Sequence, residues 1–180
     1  MRKLKRSTTT AAILAALAGT TALATATPAT AAGYQCKTSS HTADDASYNG
    51  PETDNWDLDV TVCAMRSGGY IYTNATVYWD GPYASRQRGT WTFDKAKFQL
   101  QTKKSVRGTD PVVKSSAHTG LEYALEHSNS RGNGSYSTGT LKHRAGSGSR
   151  YLADGYIQLD WSGDGKSYRS PILFTASPVV

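Results

Sequence analysis

The sequence predicts an all-β protein, an antiparallel β-sandwich or jelly roll with about seven to nine strands. Three observations support this fold class. Short segments alternate apolar and polar residues, glycine-rich turns separate them, and no amphipathic helix of ten or more residues stands out after the first 31 positions. Alternation with period two places successive side chains on opposite faces of a strand, so that one face is buried.

Residues 1–31 have the pattern of a cleaved secretory signal peptide. Basic residues at the start precede an apolar stretch, and Ala29 and Ala31 supply the small residues expected before the cleavage site. The apolar stretch is too short and too rich in threonine for a permanent membrane helix. We therefore expect cleavage after Ala31 and release of a bacterial extracellular protein without a membrane anchor.

The charge of the chain depends on this segment. The formal net charge is +6, but four of the 20 basic residues lie in the first 31 positions. The remaining 16 basic residues face 14 acidic ones, a smaller excess than nucleic-acid binders usually carry. Nucleic acid is therefore not an expected partner. Acidic residues cluster in 33–60 and basic residues in 61–150. This distribution is a chance pattern of a soluble surface, a sign of an acidic partner, or a sign that the N-terminal segment lies against the basic body.

The two cysteines predict one disulfide. Cys36 and Cys63 both follow the signal segment, and cysteines of exported proteins usually pair. A redox or metal role is the alternative. The pairing predicts a polar N-terminal arm, residues 32–55, tethered to a single β-sandwich domain at 56–180.

The first half of that chain predicts a loop and a hairpin. Residues 37–55 are rich in Ser, Thr, Asp, Asn, Gly and Pro, which favours a loop with at most short extended pieces. Strict alternation starts at Trp56, and Ser67-Gly68-Gly69 predicts a tight turn into a second strand over 70–80.

The next elements are less regular. A third strand is predicted over 90–102, with a bulge near 94–97 where the buried parity changes. A short strand is predicted around Val112 and Val113. Residues 121–127 fit a strand or a helix, and the flanking β patterns favour a strand.

The last third contains a glycine- and serine-rich span at 129–150, in which residues 136–141 predict a weak strand. A further strand is predicted over 151–161. A turn over 162–166 then leads to a final strand over 167–175.

No catalytic motif is complete. Gly165-Lys166-Ser167 is similar to the end of a P-loop, but Asp160 stands where that loop needs glycine. No serine lies in a G-x-S-x-G elbow. Glu122 and Glu126 would serve as an acid and a base only if they lined a cleft.

Metal sites are weakly indicated, and no cofactor is expected. Asp54, Asp57 and Asp59 offer oxygen ligands for Ca²⁺, although their spacing matches no EF-hand and also suits a solvated strand face. His118, Glu122 and His127 lack the H-E-x-x-H spacing of a zinc site. We expect them on the surface.

Recognition is expected in the glycine-rich span. The candidate binding residues are Arg131, Tyr136, Lys142, Arg144 and Arg150, because basic loops on a nearly neutral body favour an acidic patch of a partner. Eleven Tyr and four Trp residues also offer stacking surfaces for sugars or anchors for proteins. The tyrosines expected to be exposed are Tyr48, Tyr83 and Tyr136.

These observations favour a secreted, non-catalytic binding protein. Its partner would be another secreted or cell-surface protein, which it would serve as an adaptor, an inhibitor or a subunit of a secreted assembly. A lectin-like module for polysaccharide is the first alternative. A small secreted hydrolase is the second, and it requires a cleft in which Glu122, Glu126 and a histidine converge and a carboxyl pKa is raised.

Overall fold

The computed structural model describes residues 33–45, 47–48, 55–82 and 91–180, so the predicted signal peptide, Asp54 and Tyr83 lie outside the described residues. These ranges form strands and one short helix. The strands are β1 (Gln35–Ala43), β2 (Trp56–Ser67), β3 (Tyr70–Asp80), β4 (Phe93–Ser105), β5 (Val112–His118), β6 (Asn133–Ser137), β7 (Leu141–Arg144), β8 (Arg150–Trp161) and β9 (Ile172–Leu173), and the helix α1 is Gly120–Glu126.

Two antiparallel sheets pack together and confirm the predicted β-sandwich. The first sheet has the order β1-β2-β3, and both β6 and β7 pair with the free edge of β3. The second sheet has the order β5-β4-β8-β9. The inner faces of both sheets supply one apolar core, which burial of alternate side chains stabilises.

The predicted hairpin is confirmed. Trp56, Leu58 and Val60 are buried on β2, and Asp57 and Asp59 between them are exposed. The predicted bulge is confirmed as well, since the register of β4 against β8 shifts between Phe93 and Lys95. The shift lets Phe93 and Ala96 both reach the core although they differ in parity.

The loop prediction is wrong for the start of the arm, because residues 35–43 form an edge strand. β1 pairs along its whole length with β2, and threonine and serine side chains suit such a half-exposed edge. Tyr48 was expected on the surface and is instead buried against Trp161, with ring centroids 5.2 Å apart. The core recruits Tyr48 because few other large apolar residues occur in the arm.

The strand prediction for residues 121–127 is also wrong. The segment forms α1, in which Leu121 and Leu125 are buried and Tyr123 is 68% exposed. A strand would place Leu121, Tyr123 and Leu125 on one face. A helix instead buries the two leucines, which join the core, and leaves Tyr123 in solvent.

Two further segments differ from the expected strands. The weak strand predicted over 136–141 is divided between β6 and β7. Gly139 interrupts it with a positive φ of 68°, and Thr138 forms hydrogen bonds with the backbone of Ala75. The final strand over 167–175 shortens to β9. Residues before it are held by Arg169, which forms ion pairs with Asp45 at 2.8 Å and with Asp164 at 2.6 Å.

The predicted disulfide is confirmed. Cys36 and Cys63 lie directly opposite each other in the β1–β2 pair, and their Sγ atoms are bonded. The bond encloses a separation of 27 residues. It therefore ties the edge strand to its neighbour across a long polar connection.

Replacing Cys36 and Cys63 together with serine is expected to lower the free energy of unfolding by about 2–4 kcal/mol, because the unfolded chain regains the entropy that the closed loop removes. Urea denaturation of both proteins measures the difference. Thiol titration of the unreduced, denatured wild type is the control and should find no free thiol. Two reactive thiols, or equal stability of the variant, would contradict the expectation.

Candidate functional site

A cleft of about 490 Å³ opens where α1 meets the start of β4. The helix and the residues at the start of β4 supply its walls. The lining residues are Trp91, Phe93, Asp94, Glu122, Tyr123, Glu126 and His127. Such a volume lies in the usual range for small-molecule sites, roughly 300–1,000 Å³.

Exposed aromatic rings dominate the cleft. The side chains of Trp91 and Tyr123 are 58% and 68% exposed, which is unusual for residues of their size. His127 contacts both: its ring is stacked on Tyr123 with centroids 3.7 Å apart, and its centroid lies 5.8 Å from that of Trp91. The three rings form a continuous surface, which we call the aromatic platform.

The helix explains why these rings meet. Residues four apart lie on the same side of a helix, so Tyr123 and His127 are neighbours. The peptide N–H of His127 donates to the carbonyl of Tyr123 at 3.0 Å, and the ring Nδ1 of His127 lies 2.8 Å from the same carbonyl oxygen. This double contact fixes the imidazole against the phenol ring. The buried leucines of α1 leave this side of the helix facing the cleft.

Glu126 connects the helix to the sheet. Its Oε1 accepts a hydrogen bond of 2.7 Å from the backbone N–H of Phe93. Burial raises the pKa of the Glu126 carboxyl above its ordinary value, hydrogen bonds from the backbone of Phe93 and Thr92 oppose the rise, and the charge of Glu122 adds to it. Glu126 thus clamps α1 to the start of β4 and leaves carboxylate oxygen facing the cleft.

The chemistry of the cleft is that of a binding site for a polyhydroxylated ring. Aromatic faces attract the polarised C–H groups on the apolar face of a sugar. Carboxylates accept hydrogen bonds from hydroxyl groups, and Asp94 and Glu122 lie beside the platform. The same carboxylates repel anionic ligands.

The structure separates the predicted basic binding residues. Arg131 lies just before β6, whose first residue pairs with Asp80, whereas Arg144 pairs with Tyr70 at the other end of β3. Ten residues of strand separate those ends by roughly 33 Å. Lys142, Arg144 and Arg150 are exposed, but they lie on strands rather than on the flexible loop that was expected.

The prediction that Tyr136 is exposed is wrong. It is partly buried against the core, and its ring centroid lies 6.5 Å from that of His118. A side chain at Gly120 would contact its ring. Tyr136 therefore packs beneath the start of α1, where it supports the helix.

The acidic residues and histidines that were weighed as metal ligands do not converge in the described part of the chain, from which Asp54 is missing. Asp57 and Asp59 accept hydrogen bonds from Thr42 at 2.8 Å and from Ser40 at 2.5 Å on the exposed face of the first sheet. His118 lies beside Tyr136, whereas His127 belongs to the platform. Across the described ranges, no group of three or more His, Cys, Asp or Glu side chains could hold a metal ion.

Sequence reasoning missed the aromatic platform. The strand predicted over 90–102 places Trp91 on the same face as Phe93, and the strand predicted over 121–127 includes Tyr123. The spacing of four between Tyr123 and His127 was the available signal, since it places both on one side of a helix. The strand assignment concealed it.

No protein-family model matches the chain, and it resembles no curated protein and no solved structure at a significant level. Within the part of the chain that the structure describes, no helix is both long and apolar enough to cross a membrane. The residues of the cleft are therefore the starting point for a functional proposal.

Replacing Glu126 with glutamine is expected to change how stability depends on pH. The pKa of Glu126 in the folded protein is raised above the ordinary value of 4.5. The protonated carboxyl therefore stabilises the folded state fully below pH 4.5, and this stabilisation is lost as pH rises through the folded pKa. Glutamine keeps an oxygen acceptor for the N–H of Phe93 and does not titrate. The free energy of unfolding of the variant should therefore rise relative to that of the wild type as pH increases from 4.5 through the folded pKa of Glu126.

Urea denaturation of both proteins between pH 3.5 and pH 8, within roughly the range where carboxyl groups and histidines titrate, measures this difference. The titration of groups that do not interact with Glu126, such as His118, cancels when the two proteins are compared. A difference that is constant with pH would show that Glu126 has the same pKa in the folded and unfolded states.

Proposed function

We propose that this protein is a secreted carbohydrate-binding protein and that its aromatic platform holds a ring of a neutral polysaccharide. The observation that carries the proposal is the exposure of Trp91 and Tyr123 beside carboxylates in one cleft. Leaving two large aromatic rings in water costs free energy, which a stacked ligand would recover.

The class of ligand follows from charge and shape. The side chains of Asp94, Glu122 and Glu126 give the cleft negative charge, which disfavours nucleotides, sulfated glycans and other anions. A neutral sugar instead offers hydroxyl donors to these oxygens and an apolar face to the rings. The open shape of the cleft at the molecular surface suits one part of a long chain.

The extracellular location is part of the same proposal. The signal-peptide pattern of residues 1–31 supports it, and the disulfide between Cys36 and Cys63 is typical of oxidising compartments. Polysaccharides of cell walls and of plant or fungal debris occur in that environment.

A glycoside hydrolase is a second candidate, which the environment of Glu126 favours. A general acid for glycosidic bonds needs a raised pKa, and burial raises that of Glu126 while Glu122 lies one helical turn away. The hydrogen bond that Glu126 accepts from the backbone of Phe93 favours a positioning role instead. Binding is therefore the first proposal.

Binding is tested by incubating the purified protein with insoluble cellulose, chitin, xylan and β-1,3-glucan and measuring the protein left in solution. The wild type should be depleted by at least one of them. Trp91→Ala and Tyr123→Ala should each weaken that binding about tenfold, equivalent to about 1.4 kcal/mol. Tyr34→Ala is the matched control, because Tyr34 is 39% exposed and does not line the cleft.

Three results would decide between the candidates. Equal depletion of the wild type and both cleft variants would contradict the proposed site. No depletion by any of the four polysaccharides would contradict the proposed ligand class. Release of reducing ends by the wild type but not by Glu126→Gln would establish the hydrolase instead.

A further inference from the structure

The outer face of the first sheet carries an ordered separation of charge. Asp57 pairs with Asp80 at one end of the β2–β3 ladder, and Asp59 lies two residues further along β2. Lys142 and Arg144 lie on β7 at the other end. The buried side chains of β3 are at its odd-numbered positions, and all five charged residues are at or level with its even-numbered positions, on the opposite face. One end of this face is therefore acidic and the other is basic.

The two charged ends are equally far from the middle of β3. Asp80 and Asp59 lie level with positions 80 and 78 of β3, and Lys142 and Arg144 lie level with positions 72 and 70. The inner positions, 78 and 72, and the outer positions, 80 and 70, therefore both have their midpoint at position 75. At roughly 3.4 Å per residue, the inner charges are about 20 Å apart and the outer ones about 34 Å apart.

We propose that this face binds the same face of a second copy of the chain and forms a two-fold symmetric dimer. The two-fold axis lies between the two faces, runs perpendicular to the strands and crosses β3 at position 75. It reverses the strand direction of the second copy. It therefore places each acidic end opposite a basic end, twice per dimer. The extracellular protein partner expected from the sequence is, on this proposal, the protein itself.

The position of Lys142 supports this pairing. Its Nζ lies 3.9 Å from the ring centroid of Tyr70 and 5.6 Å from that of Tyr72, so the ammonium group leans over β3. The axis places the opposite end of the partner's β3, which carries Asp80, above that position. Among the described residues, these five charged side chains form no ion pair. The hydrogen bonds that Asp57 and Asp59 accept come from neutral hydroxyl groups, so they leave the negative charges unneutralised.

The centre of the face permits close approach. Thr38, Thr61, Thr76 and Ser137 form one row across four strands, and neighbouring hydroxyl groups in it bond at 2.7 Å and 3.3 Å. These short side chains let two sheets approach, and the 52% exposed ring of Tyr78 adds apolar area.

The size of the face sets the expected affinity. Four strands of this length offer on the order of 600 Å² per copy. Standard interfaces bury about 800 Å² per partner, so this dimer should be weak and dependent on its charges. A dimer that dissociates in the micromolar range, and more readily at high salt, is the expected result.

Sedimentation velocity of the purified protein over a range of concentrations tests the proposal. The wild type should show a dimer at low salt that dissociates as salt is raised. An acid-reversed variant, Asp57→Lys with Asp59→Lys and Asp80→Lys, should be monomeric at the same concentrations. A base-reversed variant, Lys142→Glu with Arg144→Glu, should be monomeric too.

Mixing the two reversed variants is the decisive step. Each repels itself, but together they restore two favourable contacts, so an equimolar mixture should form a heterodimer. Lys97→Glu with Arg107→Glu is the matched control for the base-reversed variant, since it changes the net charge by the same amount outside the first sheet and should leave the wild-type dimer intact. Circular dichroism confirms that every variant is folded.

A wild type that stays monomeric at low salt and millimolar concentration would overturn the proposal. So would reversed variants that dimerise as strongly as the wild type, or folded variants whose mixture fails to associate. None of the five charged residues lines the cleft, so loss of polysaccharide binding and loss of the dimer are measured with different variants.

Discussion

A buried chain of aromatic contacts holds the two sheets of this protein together. Trp56 of β2 packs on Phe93 of β4 with centroids 5.3 Å apart, and Phe93 packs on Trp161 of β8 at 4.7 Å. Tyr48 extends the contact into the N-terminal arm. Aromatic rings of this size dominate core energetics. The positions of the sheets, of the arm and of the start of β4 all depend on this cluster.

The aromatic platform depends on the same cluster. Phe93 belongs to the core and also lines the cleft, and its backbone N–H is the donor that Glu126 accepts. α1 is therefore held at a defined distance from β4, and Tyr123 lies close to Trp91. A recognition surface built on a short helix gains precision from this anchoring.

The two proposed surfaces use different physics. The platform relies on exposed aromatic rings and a few carboxylates, whose contacts are short-ranged and little affected by salt. The outer face of the first sheet relies on charges at its two ends, whose effect falls with ionic strength. The proposed dimer carries two platforms, and its avidity for a polysaccharide exceeds the affinity of a single site where one ligand spans both.

The amino-acid sequence by itself determined the all-β class, the β2–β3 hairpin, the bulge of β4 and the disulfide, because alternation, glycine turns and paired cysteines are local or covalent signals. It did not determine α1, the edge strand β1 or the burial of Tyr48. Those depend on which side chains the core can accommodate, and that is a property of distant residues. The platform also follows only from tertiary structure, because Trp91 and Tyr123 meet through the packing of α1 on β4.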